Sequence, residues 1–303
     1  MTTHVGSEPS LGGDHRAVCL SGAEPQLGGD RRQLLPLLDL LSRGLWTSAE
    51  ELRRVINLIP STQRSAYGAA LLARLEAADP GERLPEVKPW RGGRDQRVRI
   101  ITSLSILGDP SVGPTLTALI TDTNGEVRHA AMSALGRLKD CYAIPQLCNV
   151  VGDADVPIQD RLVAVDALAA IGGSEVETRL IEALKMNLPA IVMRRTVNIL
   201  GILHSQLAVS TIIHLLVDSQ DEIIRCEAAL SLGRIKDIRA LFYLWHCLDD
   251  EIVSLRRAAV HAIGEFPGEI ARAALSFALS DADPQVHQFA TDALRKRRIE
   301  HIA

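Results

Sequence analysis

One stretch, Glu126 to Asp140, recurs along this chain, and that recurrence restricts the fold more than any other feature. Val127, Ala131, Ala134, Leu135 and Leu138 share one helical face at the i, i+4, i+7, i+8 spacing of an amphipathic helix. Ile224 to Asp237 repeats the same residue types at nearly every position, and Leu255 to Gly264 is a weaker copy. Taking the small residue that follows the Leu or Ile as an anchor gives Ser105, Gly136, Ala169, Gly201, Gly233, Gly264 and, at the last turn, Arg295. Successive anchors lie 31, 33, 32, 32, 31 and 31 residues apart. A repeat of this length means a stacked array of supersecondary units.

The register extends to both halves of each unit. A hydrophobic residue precedes every anchor: Leu104, Leu135, Leu168, Leu200, Leu232, Ile263 and Leu294. Eleven positions after it stand Leu116, Leu147, Leu180, Ile212, Leu244 and Leu275, on a partner helix. Eight positions before it stand Arg97, Arg128, Arg161, Arg225 and Arg256, interrupted by Met193 and His287. Gly108-Asp109, Lys139-Asp140, Gly172-Gly173 and Lys236-Asp237 supply the tight turns, and the loops before the second helix are acidic at Asp122, Asp153, Asp221, Asp250 and Asp281. One helix pair cannot bury its apolar stripe alone, so the units stack into an all-α solenoid. The recurring arginines face acids across the stack and are expected to be a structural ladder that sets its angle, not a phosphate track.

The pattern Val-Arg-x-x-Ala-x-x-Ala-Leu-Gly-x-Leu-x-Asp, as in Val127 to Asp140, resembles the short HEAT-like repeat named after phycobilisome lyases. The resemblance covers about residues 96–303. It implies a right-handed, HEAT/armadillo-like superhelix of about seven helix pairs. It is specific for fold and not for activity, since such repeats occur in bilin lyase subunits, hydroxylases and adaptors.

Four segments follow from composition. Residues 1–31 are rich in Gly, Ser and Pro and are expected to be a disordered tail. Residues 32–78 are helical in pattern, with Ser48-Ala49-Glu50-Glu51 opening a helix as a capping box. Residues 79–95 hold Pro80, Gly81, Pro85, Pro89, Gly92 and Gly93 and read as a linker. The array occupies 96–303.

A formal charge of −4 leaves no basic surface to displace counterions, so nucleic acid is not an expected partner. Aromatics at 3 % also argue against a base-stacking platform. No segment approaches 18 uninterrupted apolar residues and no signal-peptide core precedes Gln33, so neither a membrane span nor secretion is expected. Five cysteines without a CxxC pair read as reduced thiols of a cytoplasmic protein.

Reaction chemistry has little local support. Hydroxylases of this repeat class bind two irons through His-Glu dipeptides, and no His-Glu step occurs in the chain. His214 and His246 share a register in consecutive units, with Cys247 and Asp249 nearby, yet zinc requires three or four convergent ligands. No GxSxG elbow is present, which removes the local signature of a serine hydrolase. No cofactor or metal is expected.

The expected working surface is geometric. In such solenoids the second helices line the concave side, and their exposed stripe falls seven and three residues before the anchor and one after it. It collects His129, Ser133 and Arg137; Leu162, Asp166 and Ala170; Arg194, Asn198 and Ile202; Cys226, Leu230 and Arg234; Arg257, His261 and Glu265, led by Val98, Thr102 and Ile106. This mixture of apolar, amide and guanidinium groups suits a protein-binding groove. The chain therefore reads as a non-catalytic scaffold for another protein, with Arg137, Arg194, Arg234 and Arg257 as anchors. The resemblance implies an alternative, a bilin lyase or lyase-like chaperone subunit, in which Arg257 and His261 would meet the propionates of a tetrapyrrole.

Overall fold

A computed structural model describes residues 31–43, 46, 48–78 and 95–300, with the side chains described between 37 and 296. The expected tail at 1–31 (but for Arg31) and the Pro/Gly-rich segment at 79–94 lie outside the described residues.

The described residues form helices and no β-strand. Three helices come first: α1 (Arg31–Arg43), α2 (Ala49–Asn57) and α3 (Arg64–Ala77). The array follows as α4 (Gln96–Leu107), α5 (Gly113–Ala118), α6 (Gly125–Leu138), α7 (Ile144–Gly152), α8 (Ile158–Ile171) and α9 (Ser174–Leu184). It continues through α10 (Ala190–Ile202), α11 (Val209–Asp218), α12 (Glu222–Ile235), α13 (Ile238–His246), α14 (Val253–Gly264), α15 (Glu269–Ala278) and α16 (Pro284–Glu300). From α4 onward each even-numbered helix packs on the next even-numbered one, and the shorter odd-numbered helices pack against that layer. This is an all-α solenoid.

Local chemistry sets the boundaries. Asp95, Asn124 and Asp221 cap α4, α6 and α12 by accepting from the backbone N–H of Arg97, Glu126 and Ile223. Each cap satisfies donors that the first helical turn leaves orphaned. Gly108, Lys139 and Lys236 end the same helices in the left-handed region, at φ of 77°, 53° and 61°. The aspartate that follows each one caps the next segment, accepting from Ser111, Tyr142 and Arg239. A left-handed residue and then an Asp therefore make the tight turn in these three units.

The residues before the anchors and those eleven positions after them interleave in one continuous core. Leu104, Leu135, Leu168, Leu200, Leu232 and Ile263 are fully buried, as are Leu116, Leu147, Ile212, Leu244 and Leu275. Each such side chain contributes about 1.5–3 kcal/mol of burial. The anchors mark the crossings of the even helices. A Cβ on Gly136 would sit 3.0 Å from the Cα of Ala167, and one on Gly201 would sit 2.9 Å from the Cα of Ser231.

The first three helices join this core. α1 and α3 pack against α4; there Ser103 Oγ donates to the carbonyl of Leu41 at 3.1 Å. Arg99, which is 2 % exposed, donates to the carbonyl of Arg43 at 3.4 Å. Ser48 accepts from Glu51 N–H at 3.1 Å as the cap of α2. Val98 is a correction to the expected stripe: it is 7 % exposed and belongs to the core. The first repeat is covered by α1–α3, which its own register does not reveal.

Candidate functional site

The recurring arginines build the edge of the stack. Arg97 pairs with Asp122 at 2.7 Å and with Asp95 at 3.0 Å. Arg225 pairs with Asp250 at 2.7 Å and donates to the carbonyl of Leu216 at 3.0 Å. Arg256 pairs with Asp281 at 2.8 Å and donates to the carbonyl of Asp250 at 3.0 Å. In all three the acid stands 25 residues beyond the arginine. Each guanidinium thus straps one unit to the loop of the next, with charge-assisted hydrogen bonds in a partly buried setting.

Arg128 departs from that spacing. Its acid is Asp160, 32 residues on, at 2.7 Å, and the same carboxylate holds His129 Nε2 at 2.5 Å. The residue at the regular spacing, Asp153, is exposed. The anchors flanking this joint are 33 residues apart, the widest spacing in the array, and the longer loop carries Asp153 out of reach. Asp160, 3 % exposed, escapes the register argument because it lies inside α8 instead of in a loop.

Arg161 has no acid. It donates Nε to the carbonyl of Val151 at 2.8 Å, while its buried Nη2 has no hydrogen-bond partner. The residue 25 positions on is Met186. One unit later the arginine itself is missing: Met193 stands in its place, and Asp218 meets His214 at 3.6 Å instead. Two successive straps are therefore absent around α10. The even layer is weakest at the same joint. Its anchor is Ala169 where four other units have Gly, and α8 and α10 share the least contact of any neighbouring even pair.

The stripe of the even helices is partly to fully accessible along its length. Arg137, Asp166, Arg194 and His261 are exposed, while His129, Ser133, Asn198, Cys226, Arg234, Arg257 and Glu265 are half-buried. Many of these groups are engaged within the chain. Arg137 donates to Ser105 Oγ at 3.1 Å, and Arg257 makes a bidentate pair with Asp283 at 2.8 and 2.6 Å. Glu227 accepts from Asn198 at 2.7 Å and from Arg234 at 3.3 Å. Lys236 pairs with Glu265 at 2.9 Å and holds its carboxyl below the usual range. His261 stands edge-on to Phe289 with ring centroids 6.2 Å apart. Burial pushes the Cys226 thiol up, the opposite direction from that of an activated cysteine.

A cleft of about 320 Å³ opens on this stripe between α8, α10 and α12, lined by Leu162, Asp166, Ile191, Arg194, Asn198 and Glu227 among others. Asp166 is bound there by Arg195 at 2.6 Å. Arg194 has no hydrogen bond or ion pair among the described residues. Sequence position marks Arg194 as a stripe residue but cannot show that its neighbours' acids are already taken.

On the odd-numbered helices His246 stacks edge-on with Phe242 at 4.5 Å, and burial pushes the Cys247 thiol up to about 11. Among the described residues no three His, Cys, Asp or Glu side chains are grouped to hold a metal ion. No described helix is long and apolar enough to cross a membrane.

Stacked helix pairs with glycine crossings and an arginine–aspartate edge define an α-solenoid repeat protein. A family model for HEAT repeats matches residues 94–169 and 178–263, and the chain belongs to that family. A model for the PBS lyase HEAT-like repeat matches residues 160–186. No curated protein matches the chain. Among solved structures, human deoxyhypusine hydroxylase is 19 % identical, with 80 % of this chain and 93 % of that one covered and a TM-score of 0.39. The CpcE–CpcF complex of phycocyanin lyase from Nostoc is 18 % identical, with 97 % and 99 % covered and a TM-score of 0.37. YibA of Escherichia coli is 18 % identical, with 88 % and 97 % covered and a TM-score of 0.45.

Proposed function

We propose that this protein is a non-catalytic scaffold that binds another protein along the concave face formed by its even-numbered helices. The observation that carries the reading is the composition of the accessible stripe. Apolar groups, such as Ile202 at 53 % and the half-buried Leu162 and Leu230, alternate there with amides and guanidinium groups. Such a surface offers apolar contact area together with donors that fix orientation. Arg137 and Arg194, which have no carboxylate partner among the described residues, supply anchors at little cost, because no ion pair among those residues must be broken. Affinity capture with the wild-type chain and with a doubly charge-reversed variant, R194E/R234E, tests the reading. The variant is expected to lose the captured partner while its helical circular dichroism is unchanged. Unchanged capture would discard the concave face as the binding surface.

A bilin lyase or lyase-like chaperone subunit is the second reading, and the repeat match at residues 160–186 favours it. Against it, Arg257 is committed to Asp283 through Nε and Nη2, the bidentate edge that a propionate would need. Mixing the purified chain with a bilin separates the two readings. A red-shifted, intensified absorption band would support the lyase class, and an unaltered spectrum would leave the scaffold reading alone.

A further inference from the structure

We infer that the cleft between α8 and α10 is a docking point for an acidic side chain, Asp or Glu, carried on an extended segment of the partner protein. The inference rests on the scaffold reading and adds the chemistry of the occupant.

Two independent features coincide at this joint. The first is mechanical. The arginine–aspartate strap that ties other units together is missing, since Met186 stands where the acid of Arg161 would be, and the crossing residue is Ala169 in place of glycine. A side chain at the crossing holds the helices apart. Contact between α8 and α10 is the sparsest in the even layer, and the cleft of about 320 Å³ lies at this joint.

The second feature is electrostatic. Both carboxylates that reach the cleft are already satisfied, Asp166 by Arg195 and Glu227 by Asn198 and Arg234. Arg194 is the cation left over, with no acid of its own among the described residues. Its planar fork of N–H donors matches a carboxylate in bidentate geometry. Leu162 and Ile191 line the same cleft and offer contact to an apolar residue beside the acid. A basic side chain would meet an uncompensated guanidinium and be repelled. The cleft spans three successive helices of the stripe, from Leu162 on α8 past Arg194 on α10 to Glu227 on α12. An internal side chain of a through-running segment therefore suits it better than a chain terminus does.

Fluorescence anisotropy on the full chain tests this with short, labelled, end-blocked peptides of repeating Gly-Leu-Glu, Gly-Leu-Gln and Gly-Leu-Lys. A fourth peptide repeats Gly-Leu-Gln and ends in a free carboxylate. The Glu peptide is expected to bind about tenfold more tightly than the Gln and Lys peptides, the effect of one charge-assisted pair. R194Q should erase that preference, whereas R272Q, on the exposed surface of α15, should preserve it. Equal binding of Glu and Gln peptides overturns the inference while leaving a protein-binding stripe in place. So does a Glu preference that survives R194Q, a preference confined to the free-carboxylate peptide, or no binding of the Glu peptide at millimolar concentration. The scaffold reading fails separately, by unchanged partner capture with the double charge reversal.

Discussion

Gly233 on α12 lies against Ala262 on α14 with no space for a side chain: a Cβ at 233 would stand 2.6 Å from the Cα of Ala262. The contact is backbone against glycine, and neither partner can rotate away.

Replacing Gly233 by Ala therefore sets two effects against each other. Helix propensity alone favours Ala by about 0.8–1.0 kcal/mol. Overpacking at a rigid crossing costs typically about 1–3 kcal/mol, and here it falls on backbone. G233A is expected to lower the denaturation midpoint of the full chain, the opposite sign from propensity. A raised midpoint would mean that α12 and α14 do not approach as described.

Met186 is about half exposed, at 51 %, so an acid placed there displaces little core. M186D should give Arg161 the carboxylate that other units supply at this spacing and satisfy its buried Nη2. Hydrogen bonds to charged groups contribute about 1.5–3 kcal/mol, reduced here by the exposure of the new acid. A rise in melting temperature of a few degrees is expected, and R161Q/M186D should lose it. No rise in the single variant would show that the missing strap is not what loosens this joint.

The last unit should weaken in acid. The bidentate pair with Arg257 holds the Asp283 carboxyl down to about 2, and Arg256 holds Asp281 below its usual value. Both groups bind protons more weakly folded than unfolded. Their contribution is thus complete above about pH 4 and fades as pH falls toward 2. Asp283 also caps α16, accepting from Gln285 and Val286 at 3.1 Å each, a role that Asn can keep. D283N should therefore melt below wild type at pH 6 and converge with it near pH 2. A constant gap would assign the effect to capping and not to charge.

Arg194 and Arg257 occupy the same register on the stripe and should behave differently. R257E would set a carboxylate against Asp283 and break an existing pair, so its melting temperature should fall whether or not a partner is present. R194E breaks no internal bond and should melt as wild type does. Equal melting losses in the two would mean that Arg194 has an internal role.

The helix pairs, the core positions and the register of the arginines were legible in the residues. Leu135, Leu168 and Leu232 are fully buried at the positions their spacing predicts, and the acids of Arg97, Arg225 and Arg256 lie in loops already marked as acidic. Asp160 as the partner of Arg128 was not legible, because an acid within a helix reads as ordinary surface until a longer loop removes its competitor. Nor was the burial of Val98, a stripe position by register that the structure places in the core at 7 % exposed.

Local periodicity and nearest-neighbour packing determine the architecture, since each unit must bury its apolar stripe on the next, and those instructions are written about every 32 residues. Which charged groups remain available is a different kind of property. Arg194 and Arg257 share a register, yet Asp283 reaches Arg257 and no acid among the described residues reaches Arg194. That difference comes from the angle and separation at which neighbouring helices cross, which the tertiary structure alone sets.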